Sequence, residues 1–285
     1  MRYGVKAALT DAWVMAEMDV DLLEVHIGIE DLSRRGESML STFRSIRSEG
    51  GQDLIVHAPE FMMVTGTATL VDPSSADESL KEMSTQMLEA AIRFAGDVGA
   101  NMVIVHPGGI YPSTDDPRAQ GGIDRLAGSL AKLTDLAGDV GVAITLENMP
   151  WFYHRKPLDG GQTQRWESTI LVKPGDTGPL MGLVDGLTLD VSHGYLHSPQ
   201  GGMDVVQGFI EDHRDLIKHL HLSDALPPDH EGLQIGEGNV DFRAILTAFK
   251  DRNVTAVPEI MGGHMGGGIS FRRALEELRK LEASL

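Results

Sequence analysis

Apolar and β-branched residues gather in short runs along the chain, at residues 3–9, 22–27, 54–57, 102–106, 143–147, 187–190, 217–222 and 255–260. Runs this short, bounded by turn-forming residues, predict buried β-strands. The segments between several of them carry a different period. Leu80, Met83, Met87, Ala91 and Phe94 recur every three or four positions, as do Ile123, Leu126, Leu130 and Leu133, and each set forms one apolar stripe on a helix. A last stripe, Phe271, Leu275, Leu278 and Leu281, follows Ser270, a residue suited to capping a helix N-terminus. The stripes are least regular after the second and sixth runs, at residues 31–47 and 203–213, where polar residues interrupt them.

Strand followed by helix, repeated, predicts parallel strands joined by crossover helices. Eight such units within 285 residues match one closed (β/α)8 TIM barrel spanning residues 1–285, with an open doubly wound sheet as the alternative. Hydrophobic residues make up 41% of the chain and charged residues 23%, enough apolar material for a large core.

Charge narrows the partners. Asp and Glu total 42 against 24 Lys and Arg, a formal net charge of −18, which opposes unspecific attraction to nucleic-acid backbones or anionic membranes. The chain has no cysteine, so disulfides, thiolate metal sites and cysteine nucleophiles are excluded and any metal ligands must be nitrogen and oxygen. A signal peptide or membrane span is not indicated, and a cytoplasmic location is expected.

Six runs end on a potential ligand: His57, His106, Glu147, Asp190, His221 and Glu259. In a parallel barrel the carboxyl ends of the strands build the active site. A lone strand-end histidine or acid is ordinarily a hydrogen-bonded structural residue. Three imidazoles and three carboxylates at one rim are costly to bury together unless a cation joins them, so a divalent metal site is expected. His193, three residues beyond Asp190, is a further candidate for a second metal or for substrate. His219 shares a strand face with His221, deeper in the barrel, and reads as a packing or supporting residue. His26 is ambiguous, and His154, His197 and His213 read as structural or solvent-facing.

Seven ordered motifs carry a resemblance: His57-Ala58-Pro59, His106-Pro107-Gly108, Leu146-Glu147-Asn148, Leu189-Asp190-Val191-Ser192-His193, His221-Leu222-Ser223-Asp224, Gly236-Glu237-Gly238-Asn239-Val240-Asp241-Phe242 and Pro258-Glu259-Ile260. Together they resemble the xylose isomerase-like TIM-barrel superfamily, which includes endonuclease IV and many sugar isomerases and epimerases. In the isomerase and epimerase branch the resemblance implies that Glu147, Asp190, His221 and Glu259 hold one Mn2+, Mg2+, Co2+ or Zn2+ ion, with Glu147 and Glu259 doubling as proton carriers. In the endonuclease IV branch it implies that the same four join His57, His106 and His193 around three zinc ions. Between one and three divalent ions per chain are therefore implied.

Two departures weigh against the nuclease. Its members carry an Asp-x-His pair before the Gly-Glu-Gly turn, whereas here Asp229 and His230 are adjacent, and the loop after His57 brings acidic Glu60. Basic residues near the rim are few: Arg118, Arg155, Lys156 and Arg165. Trp151, Phe152 and Tyr153 read as a lid or a stacking platform for a sugar face. Asp229, His230 and Glu237 are expected to contact substrate, and the glycine-rich stretch 262–268 offers backbone N–H groups, Gly263 among them, to a phosphate. The expected function is a divalent-metal-dependent isomerase or epimerase of a small sugar or sugar phosphate. The alternatives are a zinc phosphodiesterase acting on abasic DNA and a non-catalytic metal-binding barrel. Duplex DNA is the less favoured partner, and oligomeric state is left open.

Overall fold

Each of the eight apolar runs forms a strand of one closed parallel barrel in the computed structural model, which describes residues 1–33, 36–155 and 162–285. The barrel strands are β1 (Arg2–Ala8), β2 (Leu22–His26), β3 (Asp53–His57), β4 (Met102–Val105), β5 (Ala143–Glu147), β6 (Gly186–Asp190), β7 (Ile217–Leu222) and β8 (Thr255–Pro258). Consecutive strands are neighbours, and β8 closes on β1. Helices pack around the outside, among them Glu37–Gly50, Glu78–Val98, Gly122–Val140, Asp204–His213 and Phe242–Phe249.

Two apolar clusters follow from the alternation of strand side chains. Outward residues such as Val25, Val56, Val103, Leu146, Leu189 and Leu220 pack under the helices in the main core. Leu22, Ile55, Ile104 and Val257 form a separate cluster. Each of these four stands two residues before an ionisable side chain of the rim, namely Glu24, His57, His106 and Glu259. The period of two thus stacks a polar layer above an apolar plug.

The helical stripes face the core as the spacing places them, with Leu80, Met83, Met87 and Ile123 half-buried at its margin. Leu88, Ala91 and Phe94 are buried in Glu78–Val98, as are Leu126, Leu130 and Leu133 in Gly122–Val140. Asp77 caps the former by accepting bonds from the Ser79 and Leu80 amides, and Gly99 ends it in a left-handed conformation. The two irregular segments divide. Ile29–Ser33 precedes Glu37–Gly50, and Val191–Tyr195 precedes Asp204–His213. At the C-terminus Ser270 is not a cap. Gly266, Gly267 and Gly268 are all left-handed, so regular helix resumes at Ile269 and Ser270 lies within its first turn.

Among the described residues, three small antiparallel sheets, which the periodicity does not foresee, grow from the loops at the carboxyl ends of the barrel strands. Phe61–Val64 pairs with Thr67–Leu70 after β3, and Asp224–Leu226 with His230–Leu233 after β7. Gln164–Ser168 joins Ile110–Tyr111 to Phe152–Arg155 after β4 and β5. Among the described residues no helix is long and apolar enough to cross a membrane.

Phe94 is 1% exposed and meets the Phe43 ring edge-on at 6.0 Å, tying two helices to the barrel wall. Phe94→Ala is expected to cost about 3–5 kcal/mol, read as a lower denaturant midpoint with an unchanged slope.

Candidate metal centre

Four residues from four consecutive strand ends converge. Glu147 ends β5, Asp190 ends β6, His221 lies near the end of β7, and Glu259 follows β8. Each offers one oxygen or nitrogen, and these four atoms all lie within 4.8 Å of one another. His221 Nδ1 stands 2.7 Å from Glu259 Oε2, 3.2 Å from Glu147 Oε1 and 3.8 Å from Asp190 Oδ2. Glu147, Asp190 and His221 are each 0% exposed.

Half of the Asp190 carboxylate is spent on holding it still. Its Oδ1 accepts from the Ser192 hydroxyl at 2.8 Å and the His193 amide at 2.7 Å. Asn148 brackets the same residue, accepting from its N–H and donating to its carbonyl. The other oxygen, Asp190 Oδ2, is buried without a hydrogen bond, and so are Glu147 Oε2, Glu259 Oε2 and His106 Nε2. Leaving one such atom unpaired costs about 1–3 kcal/mol, and more when it is charged. The oxygens of Glu147, Asp190 and Glu259, gathered with His221 Nδ1 from four consecutive strand ends, fit a divalent cation with nitrogen and oxygen ligands.

His57 and His106 gather at the second oxygen of Glu147, whereas His193 faces the oxygen that His221 also approaches. His57 Nε2 and His106 Nε2 each lie 3.3 Å from Glu147 Oε2, and His193 Nδ1 lies 3.4 Å from Oε1. His57 Nδ1 donates to the Ala58 carbonyl, which leaves Nε2 to face Glu147. His193 Nδ1 donates to the Asn148 carbonyl, leaving Nε2 towards Glu231 at 3.5 Å. His26 stacks on His57 at 5.1 Å and forms a further group with His57 and Glu60.

Crowding sets the charge states. Burial pushes the Asp190 carboxyl up to about 6 and that of Glu231 up to about 7. Burial alone would lower His193, but Asp190 and Glu231 raise it to about 9. Burial also opposes ionisation of Glu147 and Glu259, and the neighbouring His221 imidazole overrides it, holding both well below the usual carboxylate range. Burial lowers His26 to about 4, with His57 adding to the effect.

A cavity of about 300 Å³ opens above the centre, lined among others by Lys6, Glu60, Asp190, His193, Glu231 and Glu259. Lys6, Glu24, Glu60 and Glu231 are additions to the residues expected from sequence. For Lys6 and Glu24 the signal was present as charged residues within apolar strand runs. Glu24 has the parity of His26, the strand's last residue, so it faces the barrel interior.

Other expected contacts stand apart from this cavity. Phe152 is buried in the core. Trp151 donates from its indole nitrogen to the Pro228 carbonyl at 2.9 Å and carries Arg165 over its ring. Asp229 is ion-paired with Arg165 and lies 3.5 Å from His154, while the His230 side chain is 66% exposed. Glu237 pairs with Arg273 at 3.2 Å on the surface. The Gly263 amide is already bonded to the Ile260 carbonyl and the Phe271 ring fills the space beside its Cα, so its N–H is not free for a phosphate. Arg118 pairs with Asp116, and Lys156 lies outside the described residues. His197 and His213 make local hydrogen bonds, the latter to Thr177.

The xylose isomerase-like TIM barrel family model matches residues 14–281, and the chain belongs to that family. An uncharacterized protein of Methanocaldococcus jannaschii is 26% identical over 266 residues, which cover 91% of this chain and 92% of that protein. Among solved structures, a D-tagatose 3-epimerase-like protein superposes with a TM-score of 0.72 at 22% identity, covering 100% of this chain and 99% of its own. Endonuclease IV from Thermus thermophilus superposes with a TM-score of 0.64 at 17% identity, with 100% of both chains covered. At these identities the structural likeness establishes the fold alone.

Because the folded Glu231 carboxyl titrates near 7 rather than 4.5, the native state holds a proton there that the unfolded chain has released. Its contribution to stability is complete below pH 4.5 and is lost as pH rises through about 7. In chelator-treated protein, Glu231→Gln is therefore expected to gain stability relative to the unmodified chain across that window. Parallel melting curves between these two pH values would refute the assignment.

Proposed function

We propose that the chain is a divalent-metal-dependent isomerase or epimerase of a small, unphosphorylated sugar. The observation that carries this reading is the convergence of oxygens of Glu147, Asp190 and Glu259 with His221 Nδ1 beneath a cavity of about 300 Å³. Glu147, Asp190, His221 and Glu259 would hold one ion. Such an ion supplies a fixed positive charge that stabilises negative charge developing on substrate oxygens.

The chain's own residues do the rest. The two carboxylates arise from strands three places apart around the barrel, so they flank whatever occupies the centre of the rim. Glu147 would accept the proton from the carbon beside the sugar carbonyl and later release it to water, and Glu259, ionised at rest, would first take a proton from water and deliver it to the opposite face, with the roles exchanged in the reverse direction. Glu60 and Glu231 add acceptors for hydroxyl groups at the cavity wall. No arginine is among the described cavity-lining residues, and Lys6 is already paired with Glu24 and Glu259. That lining favours a neutral polyol over a sugar phosphate.

A second reading, an endonuclease IV-like phosphodiesterase, is favoured by His57, His106 and His193, all within 3.4 Å of Glu147. Against it stand Asp229 and His230. The first is engaged by Arg165 and the second faces solvent, so neither adjoins the other ligands. The carboxylates at the mouth would also repel a phosphodiester backbone.

Chelation followed by reloading with Mn2+ or Co2+ is expected to raise the melting temperature and to leave one ion per chain by elemental analysis. Two or three zinc ions per chain would favour the hydrolase instead. In D2O the loaded protein is expected to place deuterium beside the carbonyl of a ketose or aldose from a panel of free sugars. Glu147→Gln should slow that exchange by about 10²–10⁴-fold and reduce metal content while leaving the far-ultraviolet spectrum unchanged. Rapid cleavage of an abasic duplex at physiological salt, with no exchange on any sugar, would overturn the proposal.

A further inference from the structure

We infer that Glu24 is a positioning residue for the metal centre, fixing His221 so that Nδ1 is its ligand nitrogen, and that Lys6 ties Glu24 to Glu259 in the same arrangement. The inference rests on the metal-dependent reading above and concerns two residues that reading leaves unused as ligands.

Glu24 is 0% exposed inside the barrel. A carboxylate buried in this way costs several kcal/mol unless its surroundings compensate, and an apolar side chain would fill the space at no such cost. Its Oε2 lies 2.8 Å from His219 Nε2 and 2.9 Å from His221 Nε2. An ionised carboxylate oxygen can only accept, so both imidazoles must present N–H at Nε2. For His219 this leaves Nδ1 as the acceptor of the Thr255 hydroxyl at 2.7 Å. For His221 it leaves Nδ1, which stands 2.7 Å from Glu259 Oε2 and 3.2 Å from Glu147 Oε1. The imidazole is thereby held between a carboxylate behind it and the ligand oxygens in front, the arrangement by which ligand histidines are oriented and made more basic.

Lys6 completes the unit from the adjacent strand. Its Nζ lies 3.2 Å from Glu24 Oε1 and also contacts Glu259 Oε1. The His221 imidazole and the Lys6 ammonium keep Glu24 charged against its burial, and the ammonium also occupies Oε1 of Glu259, so that Oε2 is the oxygen facing the centre. A charge pair that served only the barrel interior would not need to reach Glu259.

The test is a Co2+ titration of chelator-treated protein, followed by absorption spectroscopy, with the unmodified chain and the near-isosteric Glu24→Gln. Loss of the carboxylate is expected to weaken Co2+ binding about 10–100-fold and to alter the visible spectrum, with the melting temperature of the metal-free variant little changed. A second measurement needs no variant. Histidine-selective 1H–15N spectra of the unmodified protein should show slowly exchanging Nε2–H protons on both His219 and His221, with and without Zn2+. Equal Co2+ affinity and identical spectra for the two proteins would overturn the inference while leaving the metal centre standing, and so would a Zn2+-loaded protein whose His221 lacks a proton on Nε2. An unmodified chain that takes up no Co2+ would remove the metal reading itself, and the positioning role with it.

Discussion

Repulsion among carboxylates confined where water cannot reach them is the constraint that organises this molecule. Glu24, Glu147 and Asp190 are fully buried and Glu259 adjoins them, so the barrel mouth carries negative charge that hydration does not relieve. Lys6 and the imidazoles of His219 and His221 offset part of it. The oxygens that remain without hydrogen bonds mark where compensation from within the chain stops. A cation is the simplest completion, because one small ion can meet several strands at once whereas a side chain meets one or two.

The barrel supplies this concentration of charge cheaply. In a closed sheet every second residue of each strand points to a shared axis, so residues far apart in sequence become neighbours without any special loop. Glu24 and His221, separated by 197 positions, are hydrogen-bonded for this reason. The apolar plug of Leu22, Ile55, Ile104 and Val257 separates the polar layer from the opposite end of the barrel. Outside the rim, Arg165 holds Asp229 and the Trp151 indole is bonded to Pro228, so the loops after β5 and β7 brace each other. That brace engages Asp229 away from the cavity.

The fold was legible because it rests on local signals. Short apolar runs and helical stripes recur often enough to count eight strands, and the strand-end pattern brought Glu147, Asp190, His221 and Glu259 to one rim as expected. What escaped had non-local causes. The antiparallel hairpins beyond β3 and β7 have too few residues for a periodic signal. Glu24 and Lys6 look like ordinary strand charges until closure of the barrel decides which face is inside. Phe152 reads as an aromatic presented to a ligand, yet its side chain is buried in the main core once the loop folds back on the barrel. The placement of Asp229 depends on a partner, Arg165, that no spacing rule connects to it.

The polar layer draws on both termini of the polypeptide: Lys6 from the first strand touches Glu259 from just beyond the last. During synthesis the donors therefore appear in instalments, and the final carboxylate emerges only when almost the whole barrel has left the ribosome. A nascent or truncated chain would offer scattered acids and imidazoles with little preference for any ion. Selectivity for a cation would thus be acquired at the moment the cylinder seals, making metal capture a report on completed assembly.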